Sequence, residues 1–142
     1  MRCTLPIPAL VLLASAALAP PAAAQVPPPP GKPVTIDATL SGQPIRAPEG
    51  ALRVVITQTV IPAGGRLPVH KHPYPRVVNL LAGRLKITNL DTGEAREAVA
   101  GDWMVDAVDQ WHEAQVIGDE PARLMTVDQA PPGATVTIPR FP

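Results

Sequence analysis

Gly64-Gly65-Arg66-Leu67-Pro68-Val69-His70-Lys71-His72-Pro73 carries two of the chain's three histidines, one residue apart. In a β-strand, residues i and i+2 project from the same face, so an extended reading of this stretch points both imidazoles into one space. The third, His112, follows about 40 residues downstream (112 − 72), directly after Trp111. Neutral imidazole is the commonest ligand for transition-metal ions. A chain that commits all its histidines to one paired-plus-distant constellation has the residues for a metal site.

Outward from this stretch, short apolar and β-branched runs alternate with Gly, Pro and Asn/Asp turns. Strands are expected near Leu52–Ile61, Val77–Leu81, Arg84–Leu90, Ala95–Val99, Trp103–Val105, Glu113–Ile117, Arg123–Val127 and Thr135–Ile138. Leu81-Ala82-Gly83-Arg84 and Asn89-Leu90-Asp91-Thr92-Gly93 read as tight turns, the second a hairpin signal. No segment has a sustained 3.6-residue apolar stripe with caps, so helices are at most short. Many short strands at this spacing predict an all-β sandwich or barrel.

Gly64, five residues, His70, Lys71, His72, three residues, Arg76, six residues and Gly83 form one spaced set. Gly101, five residues, Ala107, Val108, Asp109, two residues, His112, three residues and Val116 form a second. In these sets the segment from Val54 to Val127 resembles the cupins, double-stranded β-helix (jelly-roll) barrels. Their motifs run G-x5-H-x-H-x3,4-E-x6-G and G-x5-P-x-G-x2-H-x3-N. Arg76 stands where the first motif has glutamate, and Ala107, Asp109 and Val116 replace the proline, second glycine and asparagine of the second.

The resemblance implies a small single-domain cupin in which His70, His72 and His112 converge on one divalent transition metal, Fe, Mn, Ni, Cu or Zn. It implies metal-dependent chemistry on a small organic molecule. A three-histidine set without the glutamate is most like the dioxygenases, with isomerase or decarboxylase chemistry also open. Three neutral histidines would leave a metal with open positions, as a catalytic site needs. A non-catalytic barrel that binds or senses a small molecule, with or without metal, is the alternative. Cupins also commonly pair through edge strands, for which Thr135-Val136-Thr137-Ile138 is the edge-capable stretch here.

Arg76 departs most from the pattern. A guanidinium only donates and cannot replace a carboxylate ligand. Aimed at a dication 4–5 Å away it would repel it by roughly several kcal/mol at an effective dielectric near 20. Three readings follow for Arg76: it holds an anionic substrate or a carboxylate behind the histidines, it anchors an acidic molecule in a metal-free pocket, or it pairs at the surface with Glu113 or Asp109. Tyr74, between Pro73 and Pro75, is either a pocket residue able to hydrogen-bond a bound species or a rim residue.

The N-terminus begins Met1-Arg2, runs apolar from about Leu5 to Leu18 and reaches Ala22-Ala23-Ala24 before Gln25. A positive start, a short apolar stretch and small residues at the cleavage positions predict an export signal over 1–24, cut between Ala24 and Gln25. The apolar run is shorter than the ~20 residues of a membrane span. The expected location is therefore periplasmic or secreted, with no membrane association after cleavage. Residues 25–33, with Pro27 to Pro30 and Pro33, read as an extended leader, and 34–142 as the barrel. Cys3 lies in the signal, which leaves the barrel no thiolate ligand. Twelve Lys and Arg balance twelve Asp and Glu without a basic run, which argues against nucleic acid as a partner. The expected partner is a small molecule, anionic if Arg76 reaches it.

Overall fold

β-Branched runs between Gly and Pro turns build nine strands in the structure, a computed structural model that describes residues 31–141. They are β1 (Arg53–Ile61), β2 (Arg66–Lys71), β3 (Arg76–Ala82), β4 (Arg84–Asn89), β5 (Ala95–Val99), β6 (Trp103–Val105), β7 (His112–Val116), β8 (Ala122–Ala130) and β9 (Ile138–Pro139). One sheet has the order β1-β8-β3-β6 and the other β5-β4-β7-β2-β9, with antiparallel pairing throughout. Among the described residues there is no helix.

Alternation along the strands sends Ile61, Val78, Leu80, Met104 and Leu124 of the first sheet against Leu85, Ala98 and Val116 of the second. Leu80 has no exposed surface, and burial of such a side chain contributes about 2 kcal/mol. The three histidines lie beside this core, where β2 and β7 pair at His70↔His112.

β2 is the strand missing from the expected set. Pro68 cannot donate to a ladder, and the structure accommodates it at a register shift between Leu67 and His70. The opposite correction applies to Thr135–Ile138. Only Ile138 and Pro139 pair, with Lys71 and His70 of β2, while residues 135–137 are irregular. The two paired residues, as β9, do form an edge of their sheet; β1 is an edge of the other, and its Val54, Ile56 and Val60 point outward. The expected signal over 1–24 and most of the leader lie outside the described residues. Gly31, Lys32 and Pro33 are exposed and without regular structure.

Gly83 joins β3 to β4 at φ +77°, and a Cβ there would sit 2.6 Å from the Pro121 carbonyl oxygen. Both the left-handed backbone and the close approach demand glycine. Gly83→Ala is expected to destabilise the fold by about 2 kcal/mol or more, read as a lower urea midpoint at unchanged slope. An unchanged midpoint would contradict this geometry.

Candidate metal centre

Each histidine of the cluster is held by a main-chain carbonyl. His70 Nδ1 lies 2.6 Å from Pro68 O, His72 Nδ1 2.9 Å from Val136 O, and His112 Nδ1 2.9 Å from Gln110 O. A carbonyl only accepts, so each Nδ1 carries the proton and each Nε2 keeps its lone pair. The rings gather with centroids 4.5–5.1 Å apart. One nitrogen from each ring lies within 4.8 Å of the others. His112 Nε2 is buried without any hydrogen-bond partner. Three inward lone pairs, one of them orphaned, are the donor set a divalent transition metal takes, and each outer nitrogen is already oriented by an acceptor.

The backbone that carries this set is sewn together at the turn before β7. Asp109 N donates to His72 O at 2.8 Å, and Val108 forms a parallel bridge with His72. Gln43 grips Val108 through both its side-chain atoms, at 2.9 Å each. Asp109, where the motif has glycine, adopts φ 59°, a left-handed conformation that favours glycine and that aspartate tolerates among L-residues. Its carboxylate meets Lys71 Nζ at 2.8 Å. The loss of the motif glycine is therefore conformationally silent.

Arg76 is fully engaged. Its Nε and Nη2 fork onto Asp128 at 2.6 and 3.0 Å, Nη2 also donates to Thr137 Oγ1 at 2.8 Å, and Nη1 donates to His72 Nε2 at 3.3 Å. Asp128 pairs directly with Arg76 across β3 and β8 and is almost wholly buried. Of the sequence expectations, the carboxylate behind the histidines is realised, with Asp128 as the carboxylate. The surface pairing is not: Asp109 belongs to Lys71, and Glu113 lies 4.0 Å from Arg66. Arg76 has the Nε–Nη2 face of its fork occupied by Asp128. Its long contact to His72 Nε2 takes the lone pair a metal would use and would have to yield to one.

Tyr74 is half-buried in the bend between β2 and β3 and lines neither the cavity nor the cleft beside His112. Three residues near the cluster escaped the motif reading, Asp128 among them. Asp106 has an oxygen 3.5 Å from His72 Nε2, and Thr137 joins the Arg76 network from the stretch expected to be an edge strand. The alternation past β6 could have flagged Asp106. Nothing local in the sequence ties Thr137 or Asp128 to the histidines. Below the cluster is an apolar cavity of about 40 Å³ lined by Leu67, Val78, Leu85, Met104 and Leu124 together with His70, His112 and Asp106. A cleft past Leu40, Asn89 and Arg96 also reaches His112 and Asp106.

Residues 57–128, half of the chain, match the family model of the cupin domain. The chain is a cupin. No curated protein matches it. Among solved structures, this cupin is similar to the polyketide cyclase RemF of Streptomyces resistomycificus, at 21% identity and TM-score 0.53 over 69% of this chain and 68% of that one. It is also similar to the oxalate decarboxylase of Lactobacillus farciminis, at 25% identity and TM-score 0.53 over 61% of this chain and 26% of that one. The DMSP lyase DddQ of Ruegeria pomeroyi matches at 21% identity and TM-score 0.53 over 63% of this chain and 44% of that one. The cupin thus spans about a quarter of the decarboxylase and under half of the lyase. These likenesses establish the double-stranded β-helix fold expected from the motifs.

Burial shifts the charges of the site in opposite directions. It holds His70 and His112 below the usual histidine value of 6.5, and burial with the neighbouring Arg76 guanidinium pushes His72 down to about 3. Burial pushes Asp106 up from 3.8 to about 6. As pH falls below 6.5, the unfolded chain protonates its histidines before the fold does, so stability is lost from there down toward pH 3. Asp106 acts the other way, taking its proton in the folded state near pH 6 and in the unfolded state near 3.8. Three histidines outweigh one aspartate. The unfolding temperature of the chelator-treated protein is expected to fall between pH 6.5 and 4, more steeply in Asp106→Asn. A flat profile would contradict the buried neutral cluster.

Proposed function

We propose that this cupin is an exported metal-dependent enzyme that acts on a small organic molecule at His70, His72 and His112. The observation that carries the reading is the convergence of three Nε2 lone pairs, each set by a carbonyl on Nδ1, with His112 Nε2 left unpartnered. A divalent Fe, Mn, Ni, Cu or Zn ion held there supplies Lewis-acid or redox chemistry. The chain's own residues bind and orient it. The carbonyls of Pro68, Val136 and Gln110 fix the ring planes, and the Asp128 fork draws the Arg76 charge onto a carboxylate. The apolar walls Leu67, Leu85, Met104 and Leu124 exclude bulk water beneath.

Dioxygenase-like chemistry is favoured over isomerase or decarboxylase chemistry because position 76 offers no glutamate. Small-molecule substrates accord with the names of the fold neighbours, an oxalate decarboxylase and a DMSP lyase among them. Arg96 at the cleft is one cation placed for an anionic substrate. Export rests on the N-terminal sequence, with a periplasmic or secreted location. Pairing of two copies through the apolar edge strand β1 is part of the same proposal.

The narrow cavity favours a second reading, a binding or sensing barrel without turnover, since about 40 Å³ admits only something near the size of water until the cleft widens. Saturable small-molecule binding that survives chelation and His112→Ala would select it.

Elemental mass spectrometry of the purified protein is expected to find about one equivalent of a transition metal, and little in a His70→Ala/His112→Ala variant. No metal after reconstitution with Mn, Fe, Ni, Cu and Zn in turn would overturn the metalloenzyme.

A further inference from the structure

The family's carboxylate position is occupied by Arg76, yet a carboxylate does stand at the cluster, one strand away. β3 and β6 pair at Val77↔Val105, and Asp106 N donates to Arg76 O at 3.0 Å, so Asp106 is the next cross-strand neighbour of Arg76. Its Oδ2 lies 3.5 Å from His72 Nε2. Asp106 also borders both the apolar cavity and the cleft, in each case together with His112.

Asp106 is otherwise without support. Among the described residues its carboxylate accepts no hydrogen bond, and its side chain is only 13% exposed. Arg76 lies near enough to favour its charge but gives it no hydrogen bond, since its fork is spent on Asp128 and its remaining contacts go to Thr137 and His72. A carboxylate taken from water without donors is costly unless a cation meets it. A metal ion held by the three histidines would bring a second cation to this point, beside Arg76. An anionic ligand would also offset the guanidinium, which repels a dication placed among the histidines.

Resting on the three-histidine reading, we propose that Asp106 is a fourth protein ligand of the metal, replacing from just past β6 the carboxylate that β3 lacks. The set is then three imidazoles and one carboxylate, with Arg76 and Asp128 a neutral pair beside it. This converts a nominally degenerate motif into a complete one of different construction.

The test is competition for Zn²⁺ between the full chain and a chromophoric chelator, with the visible absorption of the Co²⁺-loaded protein beside it. Asp106→Asn keeps the volume and removes the charge. It is expected to weaken Zn²⁺ binding at least tenfold and to change the Co²⁺ bands, with His112→Ala as the reference for a lost ligand. Asp106→Glu, which keeps a carboxylate, is expected to retain most of the affinity and reports on the same question if the asparagine variant folds poorly. Wild-type affinity in Asp106→Asn, or weaker binding with an unchanged Co²⁺ spectrum, would overturn the assignment and leave the three-histidine centre standing. Failure of the wild type to bind either ion would overturn both.

Discussion

A histidine offers its Nε2 lone pair only while Nδ1 holds the proton, and in this cupin three main-chain carbonyls keep it there. Those carbonyls come from three separate pieces of backbone: the irregularity at Pro68 in β2, the turn before β7, and the irregular run before β9. Each must be placed to within a few tenths of an ångström for its bond to form. The rest of the architecture can be read as the means of holding them: the β2–β7 pairing, the Gln43 clamp on Val108 and the short β9 pairing with His70 and Lys71. The apolar core beside them gives the two sheets the rigidity on which this depends.

The charge arrangement around the rings follows a similar economy. β3 presents Arg76 between an aspartate on each side, Asp128 across to β8 and Asp106 just past β6. The guanidinium turns to Asp128, with which it makes a two-bonded, nearly buried pair. Such a pair contributes little net stability over an apolar equivalent, but removing one partner leaves an uncompensated buried charge. It therefore acts as a positional constraint, keeping one positive group close to the histidines and occupied. Thr137 ties the chain's last turn to the same group, so the segment that supplies the His72 acceptor is fastened by the residue beside His72's metal-facing nitrogen.

Much of this was legible in the sequence because the decisive features are local. The i, i+2 histidine spacing, Gly83 at a turn that only glycine fits, and seven strand positions follow from pleat, turn chemistry and β-branched runs. Asp109 shows how a motif departure can be harmless, since aspartate adopts a left-handed backbone that favours glycine. The misses are non-local or hidden by a contrary signal. Pro68 lies in β2 at a register shift, which the runs of β-branched residues do not signal. Thr135-Val136-Thr137-Ile138 has the alternation of an edge strand, yet its carbonyl and hydroxyl are drawn to His72 and Arg76, contacts some 60 residues apart in sequence. Asp128 and Asp106 matter only because their strands flank Arg76, and strand order is not written in any one stretch.

Long-range ¹⁵N–¹H correlation spectra of the histidine rings address the central claim directly, because they report which nitrogen is protonated in each ring. At neutral pH the metal-free protein is expected to show His70, His72 and His112 all as Nδ1–H tautomers, and one equivalent of Zn²⁺ is expected to shift all three Nε2 resonances together. A ring protonated on Nε2, or a zinc response confined to one or two of the three, would contradict a centre built on three inward-facing lone pairs.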